Sequence, residues 1–293
     1  MSHTSVWPVG ELRLSGTDTL PASAPRATIM ALHGGGYSAG YWEHPLDPAA
    51  SLVTLGPALG YRVVAIDRPG YGASHGLVGD EVRMARQAEI VLDLVDGLRA
   101  DTDTGAAIFL IGHSMGSVLA LHMAASARGS AIAAVEISGL PFVFDDSLAD
   151  KDQLASLDFL PANGPEYRRD LFYGPDGTFD PDMIAAEERL IRPIPAAEII
   201  DAVECPQSTP ALAPKITVPV QVTRADFDAS SGGGRQGLER CGGLFTSSPR
   251  VVLAWQRASG HNISLHRVAR AYHLRAVAFF DDVLAGAQQP PVT

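Results

Sequence analysis

The pentapeptide Gly112-His113-Ser114-Met115-Gly116 sets a serine between two glycines at the end of an apolar run, Ala106-Ala107-Ile108-Phe109-Leu110-Ile111. A small-residue helical pattern begins immediately afterwards. A G-x-S-x-G turn between strand and helix lifts the serine hydroxyl above the sheet edge, where it can attack an electrophilic carbonyl carbon. Gly112 and Gly116 provide positions where no Cβ crowds the strand against the helix. Ser114 Oγ is therefore the candidate nucleophile. The N–H of Met115, at a helix N-terminus, is a candidate donor to the oxyanion that such an attack creates.

A serine hydroxyl attacks poorly until a base takes its proton. His261, in the turn Ala258-Ser259-Gly260-His261-Asn262, is the suitable base. With an ordinary pKa of about 6.5, an imidazole is mostly neutral at pH 7 and can return the proton to a leaving group. An acid must orient that imidazole and stabilise its charged form. Two aspartates, Asp226 and Asp228, follow the apolar run Val218–Thr223 and precede His261. A second oxyanion donor is expected upstream. Ala27–Leu32 runs into His33-Gly34-Gly35-Gly36, a turn whose backbone N–H groups no side chain shields.

Other polar and aromatic residues have plainer readings. Asp67 closes the run Tyr61–Asp67 ahead of Arg68-Pro69-Gly70-Tyr71-Gly72 and fits a turn-stabilising role better than a catalytic one. Tyr37, Tyr41 and Trp42, together with His113 beside the nucleophile, are placed as substrate-binding residues; the competing reading is that the aromatics simply pack their own loop. His44, His75, His122, His266 and His273 need no catalytic role, with the last two assigned to the final helix. No histidine pair with a nearby acid has metal-ligand spacing, so neither a metal nor a cofactor is expected.

The elements that must hold these residues alternate. After an N-terminal hairpin (Val6–Val9 with Glu11–Leu14) and a loop over 15–26 come apolar strands at 27–32, 61–67, 106–111 and 131–137. Helical patterns fall between them, at 48–59, 80–99 and from the serine turn to about Arg128. Continuous apolar strands separated by helices predict an α/β fold, a mostly parallel twisted sheet covered on both faces. From Pro141 onward the pattern changes to charged helical pieces (147–158, 164–172, 181–191, 195–204) broken by prolines. The expected division is a core of residues 1–140 and 214–293, with a helical lid at 141–213. The lid aromatics Phe142, Phe144, Phe159, Phe172 and Tyr173 either face a substrate or form the lid's own small core. Strands return at 218–223 and 251–255, before a final helix from about Ile263 to Leu284 and a tail.

Bulk properties narrow the class. The chain has 293 residues, 46% hydrophobic and 19% charged, which fits one large globular unit with an insertion. Its formal net charge of −11 argues against a nucleic-acid or anionic-membrane surface and weakly against highly anionic substrates. No signal-peptide pattern and no membrane-spanning apolar run is visible, which points to the cytoplasm. Cys205 and Cys241 fit no metal spacing and are expected to be free and structural.

Taken together, the motifs resemble the α/β-hydrolase superfamily. The matching segments are His33–Gly36, Asp67–Gly72, Gly112–Gly116, Val218-Pro219 leading to Asp226-Phe227-Asp228, and Ser259-Gly260-His261. The Gly-His-Ser-Met-Gly form is similar to lid-bearing serine hydrolases, and the likeness covers nearly all of the chain outside the lid. The resemblance implies Ser114, His261 and Asp228 as catalytic triad, with Asp226 the alternative acid, and an oxyanion hole from Gly35 and Met115, with Gly36 as a third donor. It implies hydrolysis of a carboxylic ester or thioester, a small acyl substrate, through an acyl-serine intermediate. A lactonase, an acyltransferase or cyclising thioesterase, or a carbon–carbon hydrolase would use the same triad. A non-catalytic ligand-binding or scaffold protein of the same fold is the alternative from another class.

Overall fold

A computed structural model of the chain describes residues 3–142, 165–228 and 231–287. Eight strands form one sheet: β1 (His3–Val9), β2 (Leu12–Thr19), β3 (Ala27–Leu32), β4 (Tyr61–Ile66), β5 (Ile108–His113), β6 (Ala134–Ser138), β7 (Val220–Phe227) and β8 (Val251–Gly260). Their order is β1-β2-β4-β3-β5-β6-β7-β8. β1 and β2 are antiparallel, β2 also pairs antiparallel with β4, and every later pairing is parallel. The chain thus crosses over through helices, as alternating apolar strands and helical patterns require.

Successive strand residues feed opposite faces. Met30, Leu32, Val64, Ile66 and Leu110 pack against α2 (Met84–Asp101) and α3 (Met115–Ala125). Ile29, Ala31, Val63, Ala65, Phe109 and Ile111 pack on the other side, against α1 (Leu52–Ala58) and the C-terminal helix. All residues of β3, β4, β5 and β6 are buried, the signature of strands covered on both faces.

Between β6 and β7 the described residues hold helices only: α4 (Pro165–Phe172), α5 (Met183–Glu187) and α6 (Ala196–Leu212), with short 3₁₀ turns. The helix expected at 147–158, with Phe144 and Phe159, lies outside the described residues. After β7 come α7 (Gly234–Gly242), β8 and α8 (Ala269–Ala287).

Four expectations change in detail. The segment read as loop from residue 15 is strand as far as Thr19, because its polar residues find partners. Asp18 receives two hydrogen bonds from Arg62, and Thr17 Oγ1 donates to Glu43 at 2.8 Å. β8 continues five residues beyond Trp255, carrying His261 to its end. α6 runs eight residues past the expected stop despite Pro206 and Pro210. Its buried Ile199, Cys205 and Thr209 hold it through tertiary packing, which overrides local propensity. His266 lies ahead of α8 rather than on it.

Both cysteine thiols are unpaired and buried, and burial pushes each up to about 12. Among the described residues, no helix is long and apolar enough to cross a membrane.

Candidate active site

Ser114 caps α3 at φ 52°, ψ −118°, one of two non-glycine residues with positive φ among the described residues. L-residues rarely adopt this backbone, and its surroundings hold it there. Ser114 N–H donates to Ser138 O at 2.8 Å, tying the turn to β6. A Cβ on Gly112 would lie 2.5 Å from Gly116 O, and one on Gly116 would lie 2.0 Å from Leu32 O. Neither space admits an alanine, which is why the serine is flanked by glycines. Ser117, the other hydroxyl of the turn, is committed to Gly112 O (2.9 Å) and Ser138 O (2.8 Å).

The glycine turn after β3 closes over the same point. A Cβ on Gly34 would sit 3.2 Å from Ser114 Cβ, and one on Gly35 would sit 3.3 Å from Met115 Cγ. Gly35 and Met115, the two expected oxyanion donors, are therefore immediate neighbours. The Gly36 N–H donates to Tyr71 OH at 3.1 Å, a bond that competes with its expected role as a third donor.

β7 and β8 end side by side and bring together the candidate acid and the candidate base. His261 Nδ1 donates to Asp228 Oδ1 at 2.9 Å, both residues being buried. Burial alone would raise the Asp228 carboxyl. The charge and hydrogen bond of His261, with a bond from Ser231 Oγ, outweigh it and hold the carboxyl well below the usual range. Ser231 N–H adds a further bond at 3.1 Å. Asp226 is exposed and faces elsewhere. It accepts from Trp255 Nε1 and from Ala258 N (2.9 Å), bracing the register shift between β7 and β8 where Ala258 has φ 55°. Asp67 likewise supports a turn, accepting from Ser15 Oγ (2.6 Å) and Ala39 N (2.8 Å).

The His261 ring is walled by other rings. His113 lies 4.6 Å away between centroids, and Phe172, at the end of α4, 5.3 Å away. Gly139, at φ +60°, leaves room for both imidazoles; a Cβ there would come within 2.8 Å of His261 and 3.0 Å of His113. His113 stacks on Tyr41 with centroids 4.7 Å apart and 8° between planes. Burial drives its pKa well down, and the neighbouring His261 adds to that, so it is a neutral packing partner.

Of the expected substrate-binding set, Tyr37, Tyr41, Trp42 and His113 are 2%, 0%, 0% and 1% exposed, and their rings pack against one another beside the Ser114 turn. Tyr37 OH donates to Glu187 (2.9 Å) and accepts from Asn262 Nδ2 (2.6 Å). Glu187, on α5, also receives Tyr173 OH at 2.6 Å. The aromatics thus pack the loop and anchor the inserted helices beside His261.

Three supporting residues carry little or no signal of their role in the sequence. His266 Nε2 lies 2.9 Å from Gly260 N and 2.8 Å from Tyr173 O, and its Nδ1 lies 2.8 Å from Asn262 O, so the ring fixes the turn that carries His261. Its only sequence signal is its spacing of five residues from His261. Glu198 and Glu136 gave none. Glu136 on β6 is fully buried, with Tyr272 OH donating to its carboxylate at 2.7 Å, and burial pushes its pKa up to about 7. The fold therefore favours the protonated form. That contribution is present below the ordinary glutamate value and is lost as pH rises through about 7. Thermal melts are expected to show wild type losing on the order of 3 kcal/mol between pH 4.5 and 8 from this group. Glu136→Gln should flatten that slope; an unchanged slope would refute the assignment.

The profile of the alpha/beta hydrolase family matches residues 29–287, and the chain belongs to that family. Over 96 residues it is 36% identical to the 2-hydroxy-6-oxo-6-phenylhexa-2,4-dienoate hydrolase of Burkholderia cepacia, covering 33% of this chain and 30% of that one. Over 123 residues it is 34% identical to human monoglyceride lipase, covering 41% and 37%. The matched stretch spans about a third of these relatives. The enol-lactonase of Burkholderia xenovorans superposes with a TM-score of 0.73 at 17% identity, over 94% of this chain and all of that one, a likeness of fold.

Proposed function

We propose that this protein is a serine hydrolase that cleaves a carboxylic ester or thioester through an acyl-Ser114 intermediate. The buried His261–Asp228 pair, set at adjacent strand ends in the half of the sheet that carries the Ser114 turn, supports this reading most strongly. Asp228 fixes the His261 tautomer with the proton on Nδ1, leaving Nε2 as the base for the Ser114 hydroxyl. Attack on the carbonyl carbon forms a tetrahedral oxyanion, held by Gly35 N–H and Met115 N–H. His261 then protonates the leaving oxygen or sulfur, and a water activated the same way releases the acid and regenerates Ser114. Two aimed donors at the oxyanion typically supply several kcal/mol of barrier lowering. The helices between β6 and β7 act as a lid over this centre, and the substrate is a small acyl compound.

A second reading rests on the likeness to the dienoate hydrolase. The name of that relative's substrate contains a ketone and no ester, so its hydrolysis breaks a carbon–carbon bond. The same nucleophile, base and donors serve attack on a ketone. Assay of purified protein against p-nitrophenyl esters of increasing chain length, acyl thioesters, lactones and an aryl dienoate separates these outcomes. Turnover of the esters or thioesters with accumulation of acyl-enzyme is expected. Turnover of the dienoate alone favours the second reading, and turnover of none overturns both.

A further inference from the structure

One buried carboxylate joins the inserted helices to the glycine turn. Glu198 stands in the first turn of α6 and is 1% exposed. Its Oε1 accepts from Arg68 Nη1 and from Gln87 Nε2 at 3.1 Å, and its Oε2 accepts from Arg68 Nη2 at 3.0 Å and from Tyr71 OH at 2.6 Å. Arg68 in turn donates from Nε to His33 O at 2.7 Å and from Nη2 to Gly34 O at 3.3 Å. Its backbone N–H donates to His33 Nε2 at 3.0 Å, which sends the ring's Nδ1 proton to Gly34 O at 2.7 Å. Tyr71 OH receives the Gly36 N–H. A second thread from the insertion lands on the same turn, where Arg192 N–H donates to Gly36 O at 2.8 Å.

Three consecutive glycines have more backbone freedom to lose than any other tripeptide. An oxyanion donor contributes only if it is already aimed before charge develops. The turn is clamped on both sides of Gly35, at the His33 and Gly34 carbonyls and at both backbone groups of Gly36. Apart from the Arg192 thread, the clamps run through Arg68 and Tyr71, and both of these are held by Glu198.

We propose that Glu198 is a positioning residue for the oxyanion turn, acting through Tyr71 and Arg68, so that the turn is ordered for catalysis only when α6 is seated on the core. This rests on the reading of Gly35 and Met115 as the oxyanion hole. It couples the insertion to the chemical step rather than to substrate access alone.

Tyr71→Phe is the clean test, because it removes the hydroxyl between Gly36 and Glu198 and leaves the buried Arg68–Glu198 ion pair intact. With the best acyl substrate, kcat should fall by about 10²-fold while KM changes by less than about threefold, the signature of a misplaced transition-state donor. Glu198→Gln should lower kcat in the same way. If it fails to fold because Arg68 loses its counter-charge, Tyr71→Phe decides alone. Hydrogen–deuterium exchange of the peptide covering residues 33–37 provides a readout that needs no activity. Exchange there should be at least about tenfold faster in Tyr71→Phe, as a local opening freed of a restraint. Wild-type kcat and unchanged exchange in Tyr71→Phe would overturn the proposal. Faster exchange in a protein that turns over no acyl substrate would show that Tyr71 orders the turn, while refuting the hydrolase reading and with it the catalytic purpose of that order.

Discussion

Replacing Ser114 by alanine is expected to lower turnover of the best acyl substrate by about 10⁶-fold. Activity of about 10³-fold over the uncatalysed reaction should remain from the oxyanion donors and substrate binding. The substitution removes one oxygen and little else. The structural bond at this position, Ser114 N–H to Ser138 O, is a backbone bond that alanine keeps, and alanine meets the same backbone strain at φ 52° that serine does. The melting temperature should therefore stay within a few degrees of wild type. Retention of a tenth or more of the wild-type rate would mean that another group attacks. Ser117, the neighbouring hydroxyl, is poorly suited to replace it, since its proton is directed at the Gly112 and Ser138 carbonyls.

The second large effect separates two aspartates only two residues apart. Asp228→Asn should reduce kcat by about 10⁴-fold near neutral pH, because an amide that donates toward Nδ1 stabilises the wrong imidazole tautomer and offers no charge to the imidazolium. Asp226→Asn should cost less than about tenfold. Its side chain braces the strand ends through Trp255 and Ala258, and an amide oxygen can still accept one of those bonds. The measurable change there is a lowered melting temperature. A profile in which Asp226→Asn is the crippled variant would reverse the assignment of the acid.

Much of this site could be read in the sequence because the chemistry constrains small residues severely. The pair Gly112 and Gly116 marks a turn whose contacts leave no room for a Cβ, and the His33–Gly36 turn abuts Ser114 for the same reason. The choice between Asp226 and Asp228 could not come from strand alternation, since residues two apart share a face. Only the resemblance to a family favours Asp228, and the register shift at the end of β7 separates the two in space. The polar residues of β2 and of the far end of β8 look like loop until distant partners such as Arg62, at 44 positions' separation from Asp18, complete them. Gly16 hints at the pairing: a Cβ there would lie 2.1 Å from Ala65 O on β4, so only glycine lets these strands meet. The buried Glu198 and Glu187 are illegible for a related reason. A charged residue on a helical pattern reads as surface, and their partners Arg68 and Tyr37 lie 130 and 150 positions away. Tyr37, Tyr41 and Trp42 carry the converse lesson. Aromatics beside an active turn suggest a pocket wall, yet hydrogen bonding to Glu187, Asn262 and the Ser264 backbone draws the two tyrosines inward.

The central claim is that Ser114 is a nucleophile activated by its fold. Wild-type protein treated with a fluorophosphonate, digested and mapped by mass spectrometry should carry one phosphonyl group, on the peptide containing Ser114, with none after prior heat denaturation. A folded protein that takes up no label, or takes it up on a different serine, would contradict the account.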